Sequence, residues 1–204
     1  MVAKTLIYFI IPTLILTRIQ EQGFLLKFKI MKYIEEVQKG MDFLAQDPRT
    51  IFMGQAVEYK GTALTHQVKN YPATQLFETP VSEEMQAGIA LGLALEGYLP
   101  VSLYPRMDFI ILAMNQIINH LDKWEAMCQR QSKPRVIMKA VVGSNKPLDP
   151  GHQHQANHTK AFREMSSNIN VVELLNPRDI LPAYQNAYKA SNSTLIIEHA
   201  DLYK

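Results

Sequence analysis

The chain has 204 residues, of which 47% are hydrophobic and 20% charged, a composition typical of one globular domain with a substantial core. Its formal net charge is only +2, and its lysines and arginines are scattered, so nothing indicates a nucleic-acid-binding face. Cys128 is the one cysteine, which excludes an internal disulfide and is consistent with the reducing cytoplasm, where we expect the protein to reside.

The first thirty residues differ from the rest of the chain. Residues 5–17 (TLIYFIIPTLILT) carry no charge, but they are fewer than the roughly 20 apolar residues of a membrane span. They resemble the apolar part of a signal peptide, yet no small-residue cleavage site follows them. Two interpretations stay open: residues 1–30 anchor the protein to a membrane, or translation starts at Met31. We favour the second and expect the domain to span residues 31–204.

After Met31, short apolar segments typical of strands alternate with helical patterns. The predicted strands are residues 51–57, 75–80, 100–104, 135–143, 170–175 and 194–200. The predicted helices are residues 33–46, 82–97, 107–129 and 177–190, with a further helix around 160–165. This alternation predicts an α/β fold: a three-layer, doubly wound, mostly parallel sheet with helices on both faces.

Folds of this kind place ligands at the carboxyl ends of their strands. Two polar segments, TPVSEE (79–84) and GSNKPLDPGHQH (143–154), directly follow predicted strands. The first leads into a helix that is apolar almost all round, which indicates burial. Gly88 and Gly92 are poor helix formers, so we expect them to let another backbone or a ligand approach closely.

Glu83 and Glu84 stand side by side at the start of this helix. An acid in the first helical turn usually does no more than complement the helix dipole. A catalytic role instead requires a carboxyl that is buried against the apolar helix and shares a proton with a ligand nitrogen. Periodicity does not choose between the two residues.

The loop HQHQANH supplies His152, His154 and His158. His154 and His158 would share a face of an early helix, so a zinc site is conceivable, but no cysteine lies nearby. A histidine that faces a substrate fits the loop position better, because histidine exchanges protons near neutral pH. An exposed polar loop without a role is the remaining alternative.

Aromatic and charged residues accompany the predicted helix 107–129. Trp124 has the spacing of a core residue, whereas Phe109 stands one turn from the end of a strand, where it can line a ligand pocket. Arg106 and Asp108 are unusual beside so apolar a segment. The sequence contains no GxxxxGK[ST] phosphate loop, no GxGxxG and no GxSxG.

Taken in order, these segments resemble the pyrimidine-binding domain of thiamine-diphosphate enzymes, above all the beta subunits of 2-oxo acid dehydrogenases, with transketolase a more distant relative. Those subunits carry an acidic-Pro-Arg turn and a strand leading into Gly-Glu-Asp-Val, then Thr-Pro-Ile-Ser-Glu before a glycine-spaced helix. They continue with Asp-Gln-Ile-x-Asn, a Gln-His-Ser-Gln loop and a terminal Leu-Glu-His-x-x-Leu-Tyr. The matching segments are LAQDPRTIFMGQAV, TPVSEEMQAGIALGLALEG followed by YLPV, MNQIINHLDKW, HQHQANHTKAF and TLIIEHADLY, and nothing before Met31 matches.

The resemblance implies roles for individual residues. Glu83 takes the place of the catalytic glutamate, which hydrogen-bonds the aminopyrimidine of thiamine diphosphate and so promotes loss of the thiazolium proton. Phe109 and Gln55 would contact the cofactor. His154, with His152 and Arg106, would face the substrate. The family expects a 2-oxo acid substrate, and no metal ligand is expected on this chain.

Three positions depart from the family pattern. Gln55 stands where an acid is usual, Arg106 where an aromatic residue is common, and Ala156 where the loop has its second glutamine. An arginine near the pocket suggests an anionic substrate. These departures bear more on the substrate than on the cofactor.

The motif that binds the diphosphate and Mg²⁺ in these enzymes is missing from the sequence. The resemblance therefore implies a partner: an alpha-type subunit that holds the diphosphate and Mg²⁺, in a hetero-oligomer or dimer that shares the cofactor. Two alternatives to a 2-oxo acid dehydrogenase subunit stay open. One is a transketolase-type half-enzyme, and the other is a non-catalytic assembly or ligand-binding relative.

Overall fold

The computed structural model of the protein describes residues 31–59, 63–145 and 149–203. The apolar segment 5–17, with both interpretations of residues 1–30, lies outside the described residues. Within the described ranges, no helix is long and apolar enough to cross a membrane.

Six strands form one sheet in the order β2-β1-β3-β4-β6-β5, and every neighbouring pair is parallel. The strands are β1 (Thr50–Gly54), β2 (Leu76–Glu78), β3 (Leu99–Tyr104), β4 (Ile137–Val142), β5 (Asn170–Glu173) and β6 (Thr194–His199). The predicted α/β fold with a mostly parallel sheet is thereby confirmed, and each predicted strand is present.

The helices are α1 (Tyr33–Ala45), α2 (Ala63–Val68), α3 (Glu83–Leu95), α4 (Met107–Ile110), α5 (Trp124–Met127), α6 (Thr159–Met165) and α7 (Pro177–Lys189). Short 3-10 turns occur at Ala73–Gln75, His152–His154 and Ala200–Leu202. Helix α2 is the next helix or strand after β1, and the sequence pattern does not predict it.

The helix predicted for residues 107–129 is present over most of its length, but it is not a regular α-helix. Between α4 and α5 the chain forms a 3-10 turn, Ile111–Ala113, and then a π-helix, Asn115–Leu121. At the end of the π-helix, the buried Asp122 carboxylate accepts hydrogen bonds from the backbone N–H groups of Ser167 (3.0 Å) and Asn168 (2.7 Å). This contact joins the end of the π-helix to the segment that follows α6. Trp124, expected in the core, is half-buried, and its Nε1 donates to Ser132 Oγ at 2.8 Å.

The two faces of the sheet bury two separate cores. Residues alternate along each strand, so that Ile137 of β4 packs in one core and Met138 in the other. Helices α1 and α7 cover the first core, where Tyr184 packs against Gly40. Helix α3 covers the second, which includes Met53 and Tyr104. Burial on both faces explains the near-continuous apolar runs of the strands.

A buried ion pair lies within the first core. Lys139 Nζ of β4 stands 3.1 Å from Glu198 Oε2 of β6, and both side chains are at most 1% exposed. Lys139 also donates to Gln67 Oε1, while the hydroxyls of Tyr184 and Tyr203 donate to the Glu198 carboxylate. Charged side chains are rarely buried this completely unless they are paired and hydrogen-bonded, as here.

Candidate active site at the carboxyl edge of the sheet

The strand order reverses direction at β1, because β2 lies on one side of it and β3 on the other. Ligands of open α/β sheets bind in the crevice at the carboxyl ends of the strands on either side of such a reversal. Gln55 follows β1 there, and the chain enters α3 at Glu83 after leaving β2. The predicted site residues of these two segments thus reach the same edge.

Glu83 is a buried carboxylate at this point, with only 5% of the residue exposed. Gln55 Nε2 donates a hydrogen bond to Glu83 Oε1 over 3.0 Å. A carboxylate has room for several hydrogen bonds, so this one donor leaves accepting capacity for a ligand. The structure therefore brings together two of the predicted cofactor-binding residues.

The position of Glu83 depends on how α3 is fixed to the sheet. One turn into the helix, Gln86 Nε2 donates to Ser102 Oγ (2.9 Å) and to the Leu103 carbonyl (3.0 Å) of β3. Gly54 ends β1 with φ +152, and a Cβ there would stand 2.5 Å from the Leu103 carbonyl oxygen. Glycine is therefore required at this end of β1.

Glu84 differs sharply from its neighbour. It is exposed, and its Oε1 accepts hydrogen bonds from Asn115 Nδ2 (3.1 Å) and Gln116 Nε2 (3.5 Å). The two acids that the sequence left equivalent therefore occupy different environments. Glu83 has the burial that an acid needs for proton exchange with a ligand, and Glu84 is an ordinary surface carboxylate.

Tyr104, the last residue of β3, is a neighbour of this site that the sequence did not single out. Burial raises the pKa of its phenol above the ordinary value; the Ser102 hydroxyl partly opposes this rise in pKa, and the Glu83 charge adds to it. Tyr104 therefore stays neutral, and it lies in the second core near enough to Glu83 to feel the carboxylate charge. Its position at a strand end was the available signal in the sequence.

A second cluster forms between the start of α4 and the histidine loop. The rings of Phe109 and His154 meet edge to face, with centroids 5.3 Å apart and planes at 87°. Arg106 Nη1 lies 3.5 Å from the His154 carbonyl oxygen, and Gly143 leaves space for both groups because a Cβ there would overlap them. His152 is exposed on the same turn. The cluster thus contains three predicted site residues, Arg106, Phe109 and His154, and His152 lies at its edge.

Asp108 is hydrogen-bonded to the histidine loop. Its Oδ1 accepts a hydrogen bond from the Ala156 backbone N–H over 3.3 Å. The Oδ2 of Asp108 and the Nδ1 of His154 are both buried without a hydrogen-bond partner. Buried polar atoms of this kind are costly unless a ligand or water completes them.

Glu78, at the end of β2, is another residue that sequence reasoning missed. Its two carboxylate oxygens accept hydrogen bonds from the backbone N–H groups of Ala56 (2.7 Å) and Glu58 (2.9 Å). A pocket of about 440 Å³ lies beside it, lined by Gln55, Ala56, Tyr59, Glu78, Thr79, Pro80 and Val81. The pocket adjoins the Gln55–Glu83 pair and gives a ligand access to this edge.

A larger pocket, of about 610 Å³, lies at the opposite edge of the sheet between β5 and α7. Among its lining residues only Asp179 is charged, and the neighbours are small or amide side chains such as Ala183 and Asn186. It is far from the cluster of polar groups described above, so we place the functional site at β1 and β3 rather than there.

In the described part of the chain, no group of three or more His, Cys, Asp or Glu side chains could hold a metal ion. The zinc interpretation of His154 and His158 thus gains no structural support. His154 instead packs against Phe109, and the backbone N–H of His158 lies 3.3 Å from Met107 Sδ.

Comparison with known proteins identifies the family and the fold. The sequence model of the transketolase pyrimidine-binding domain matches residues 31–204. The beta subunit of the pyruvate dehydrogenase E1 component from Staurastrum punctulatum is 23% identical over 172 residues, which are 83% of this chain and 51% of that protein. The beta subunit of 2-oxoisovalerate dehydrogenase from Bacillus subtilis is 23% identical over 179 residues, 86% of this chain and 54% of that protein.

Solved structures show the same fold. A split-gene transketolase, described as an inactive beta4 tetramer, superposes with a TM-score of 0.62 at 18% identity, covering 83% of this chain and 51% of that one. Transketolase from Leishmania mexicana gives a TM-score of 0.62 at 17% identity, covering 81% of this chain and 24% of that one. The chain spans about half the length of the curated relatives it matches. It belongs to the transketolase pyrimidine-binding domain family, whose members serve thiamine-diphosphate-dependent enzymes.

Proposed function

We propose that this chain is a beta-type subunit of a thiamine-diphosphate-dependent enzyme that acts on a 2-oxo acid, and that it supplies the aminopyrimidine half of the active site. The observation that carries the proposal is the buried Glu83 carboxylate, with Gln55 as its hydrogen-bond donor, at the reversal point of the sheet. The donor set fits the cofactor, because a pyrimidine nitrogen needs a carboxyl partner in an apolar surrounding.

Each predicted residue has a place in this proposal. Glu83 exchanges a proton with the ring nitrogen, Gln55 orients the Glu83 carboxyl group, and Phe109 lines the ring pocket. His154, His152 and Arg106 face the substrate, and the guanidinium of Arg106 binds its acidic group. When bound, thiamine diphosphate supplies a nucleophilic carbon and an electron sink for the bond that breaks beside the carbonyl.

The proposal includes a partner. An alpha-type subunit would hold the diphosphate and Mg²⁺, and the two chains would form a hetero-oligomer in the cytoplasm. Exposed apolar side chains support such a surface. Val81, just before α3, is 82% exposed, and Leu112, in the 3-10 turn that contacts α3, is 63% exposed. The names of the curated relatives, which are beta subunits, support the same assignment.

A non-catalytic role is the second candidate, and one observation favours it: the acid usual in the family is replaced by Gln55. A third candidate function, transketolase-type ketol transfer, is supported only by the fold. The first two candidates make different predictions for Glu83, because a protein without catalytic function does not need this carboxylate.

The test is co-expression with the diphosphate-binding subunit encoded nearest in the genome. We expect the purified pair to bind thiamine diphosphate with Mg²⁺ and to decarboxylate a 2-oxo acid. Glu83→Gln should lower the rate at least about a hundredfold, the scale of a lost general acid–base group, while Glu84→Gln should change it little. Calorimetry measures binding, and reduction of a dye acceptor measures turnover.

The matched pair of variants decides the assignment. Glu83 and Glu84 are adjacent, carry the same charge and lose the same charge on substitution. Equal effects of the two substitutions would contradict the assignment of Glu83. A chain that binds no cofactor with any diphosphate-binding partner would contradict the proposed function.

A further inference from the structure

Residues 55–58 adopt a tight turn where β1 ends. Ala56 has φ +59, in the left-handed region that a residue with a Cβ rarely adopts, so its backbone is strained. Such a conformation persists only when its surroundings hold it in place. The hydrogen bonds at this turn show which group does so.

The Glu78 carboxylate supplies these hydrogen bonds. Its Oε1 accepts from the Ala56 N–H at 2.7 Å, and its Oε2 accepts from the Glu58 N–H at 2.9 Å. Hydrogen bonds to an ionised carboxylate are about twice as strong as neutral ones. Both oxygens of Glu78 are thereby engaged by the backbone.

The clamped turn determines where the neighbouring side chain points. Gln55 directly precedes Ala56, and its Nε2 donates to Glu83 Oε1 over 3.0 Å. The adjoining strands are joined independently, since the Thr79 N–H donates to the Gly54 carbonyl over 3.0 Å. Loss of the Glu78 carboxylate would therefore remove two hydrogen bonds from the turn and leave the β1–β2 pairing in place.

We propose that Glu78 is a positioning residue, which holds the 55–58 turn so that the Gln55 carboxamide meets the Glu83 carboxylate. The hydrogen-bond geometry carries this role by itself. Its consequence for turnover rests on the proposed function. Glu78 acts through Gln55 and is not itself the acid that exchanges a proton.

The first test needs neither partner nor cofactor. The side-chain amide signal of Gln55 in a ¹⁵N spectrum of the full chain is assigned by its loss in Gln55→Ala. We expect Glu78→Gln, which keeps only one accepting oxygen, to move this signal to the position of a solvent-exposed glutamine. Glu58→Gln removes one negative charge, as Glu78→Gln does, from the turn itself. It keeps both hydrogen bonds to Glu78 and should leave the Gln55 signal unmoved.

The second test uses the complex with the partner. We expect Glu78→Gln to lower kcat about tenfold to a hundredfold, the usual effect of a misplaced catalytic group, with an unchanged KM for the 2-oxo acid. Glu58→Gln should retain the kcat of the unmodified protein. Far-UV circular dichroism checks that each variant is folded.

The outcomes separate the two proposals. A Gln55 signal that moves in Glu78→Gln, in a chain that never yields an active pair, would support the positioning role and overturn the proposed function. An active pair in which Glu78→Gln alters neither the Gln55 signal nor kcat would overturn the positioning role. A Glu58→Gln variant as impaired as Glu78→Gln would also overturn it, because charge alone would then explain the effect.

Discussion

At the scale of single residues, the Gln55–Glu83 pair is the most informative feature of the site. The family resemblance implies an acid at the position of Gln55, and an acid there would place two carboxyl groups side by side. Two such groups cannot both be ionised at low cost, so they share a proton. An amide donor removes that requirement, and Glu83 accepts its hydrogen bond from a neutral partner.

Restoring the acid should make stability depend on pH. In Gln55→Glu the new carboxyl group stands beside Glu83, and this repulsion raises the pKa of the pair above that of the unfolded chain. The folded variant then binds more protons, so its free energy of unfolding falls as pH rises above about 4. Relative to the unmodified protein, we expect Gln55→Glu to lower the free energy of unfolding by more at pH 7.5 than at pH 4.5.

Urea unfolding at the two pH values measures this difference, and Gln55→Leu is the control. Leucine removes the hydrogen bond without adding a charge, so its penalty should be nearly the same at both pH values. If Gln55→Glu behaved like Gln55→Leu, the two side chains would not be in contact in solution.

At the scale of elements, the glycines of the helices show which close contacts the chain itself requires. A Cβ at Gly40 of α1 would overlap the ring of Tyr184 on α7. At Gly92 of α3 a Cβ would meet nothing within 4 Å, and at Gly88 the nearest atom is 3.7 Å away in the Gln116 side chain. The expected close approach at Gly88 and Gly92 therefore does not arise within the described part of this chain.

The two helical positions should respond to alanine in opposite directions. Gly40→Ala forces overpacking between α1 and α7 and should destabilise the protein by about 1–2 kcal/mol, net of the better helix propensity of alanine. Gly92→Ala gains that propensity without a clash and should stabilise the isolated chain by about 0.5 kcal/mol. Thermal and urea unfolding of both variants check this, and equal signs would contradict the packing described for α1 and α7.

Asp47 stabilises the turn between α1 and β1 through its hydrogen bonds. Hydrogen bonds from the Arg49 side chain hold the pKa of Asp47 well below its ordinary value, at about 2, and the Tyr188 hydroxyl adds a bond from α7 at 3.1 Å. A carboxylate with a depressed pKa stabilises the fold at pH values above its unfolded-state pKa, which is near 4. This stabilisation is lost as the pH falls toward 2.

Asp47→Asn should therefore cost about 1 kcal/mol at pH 7, allowing for solvent screening, and almost nothing at pH 2. Chemical denaturation across this range measures the change. Glu164→Gln, at an exposed position of α6, is the charge-matched control and should show no such pH dependence. A penalty for Asp47→Asn that persists at pH 2 would mean that packing, not the charge, is responsible.

At the scale of the whole molecule, the Lys139–Glu198 pair joins two central strands to α2, α7 and the C-terminal turn. Lys139→Met leaves the Glu198 charge buried and should cost about 3–5 kcal/mol. The double variant Lys139→Met with Glu198→Gln removes both charges and keeps an acceptor for the tyrosines. It should be less destabilised than the sum of the single variants, by about 1 kcal/mol or more in a double-mutant cycle. Strict additivity would show that the pair is not coupled.

Much of the architecture was predictable because it depends on local pattern. Buried parallel strands give continuous apolar runs, so β3 and β4 were placed within two residues of their observed ends. Two features after Met107 were not predictable from local pattern: the change from α to 3-10 and π geometry, and the contact of Asp122 with a segment more than forty residues later. The distinction between Glu83 and Glu84, and the clamp of Glu78, depend likewise on which elements meet in space.

The strand order has a consequence for how the chain folds as it is synthesised. In the described sheet, β5 pairs with β6 alone, and β6 enters between β5 and β4. When β5 leaves the ribosome, it therefore has no strand to join until α7 and β6 have followed. Parallel, non-local pairing of this kind is slow and leaves apolar edges exposed meanwhile. In nascent chains truncated before β6, we expect the unpaired edge of β4 and the segments beyond it to remain accessible to proteases and chaperones. Every residue proposed for the active site has already been translated at that point.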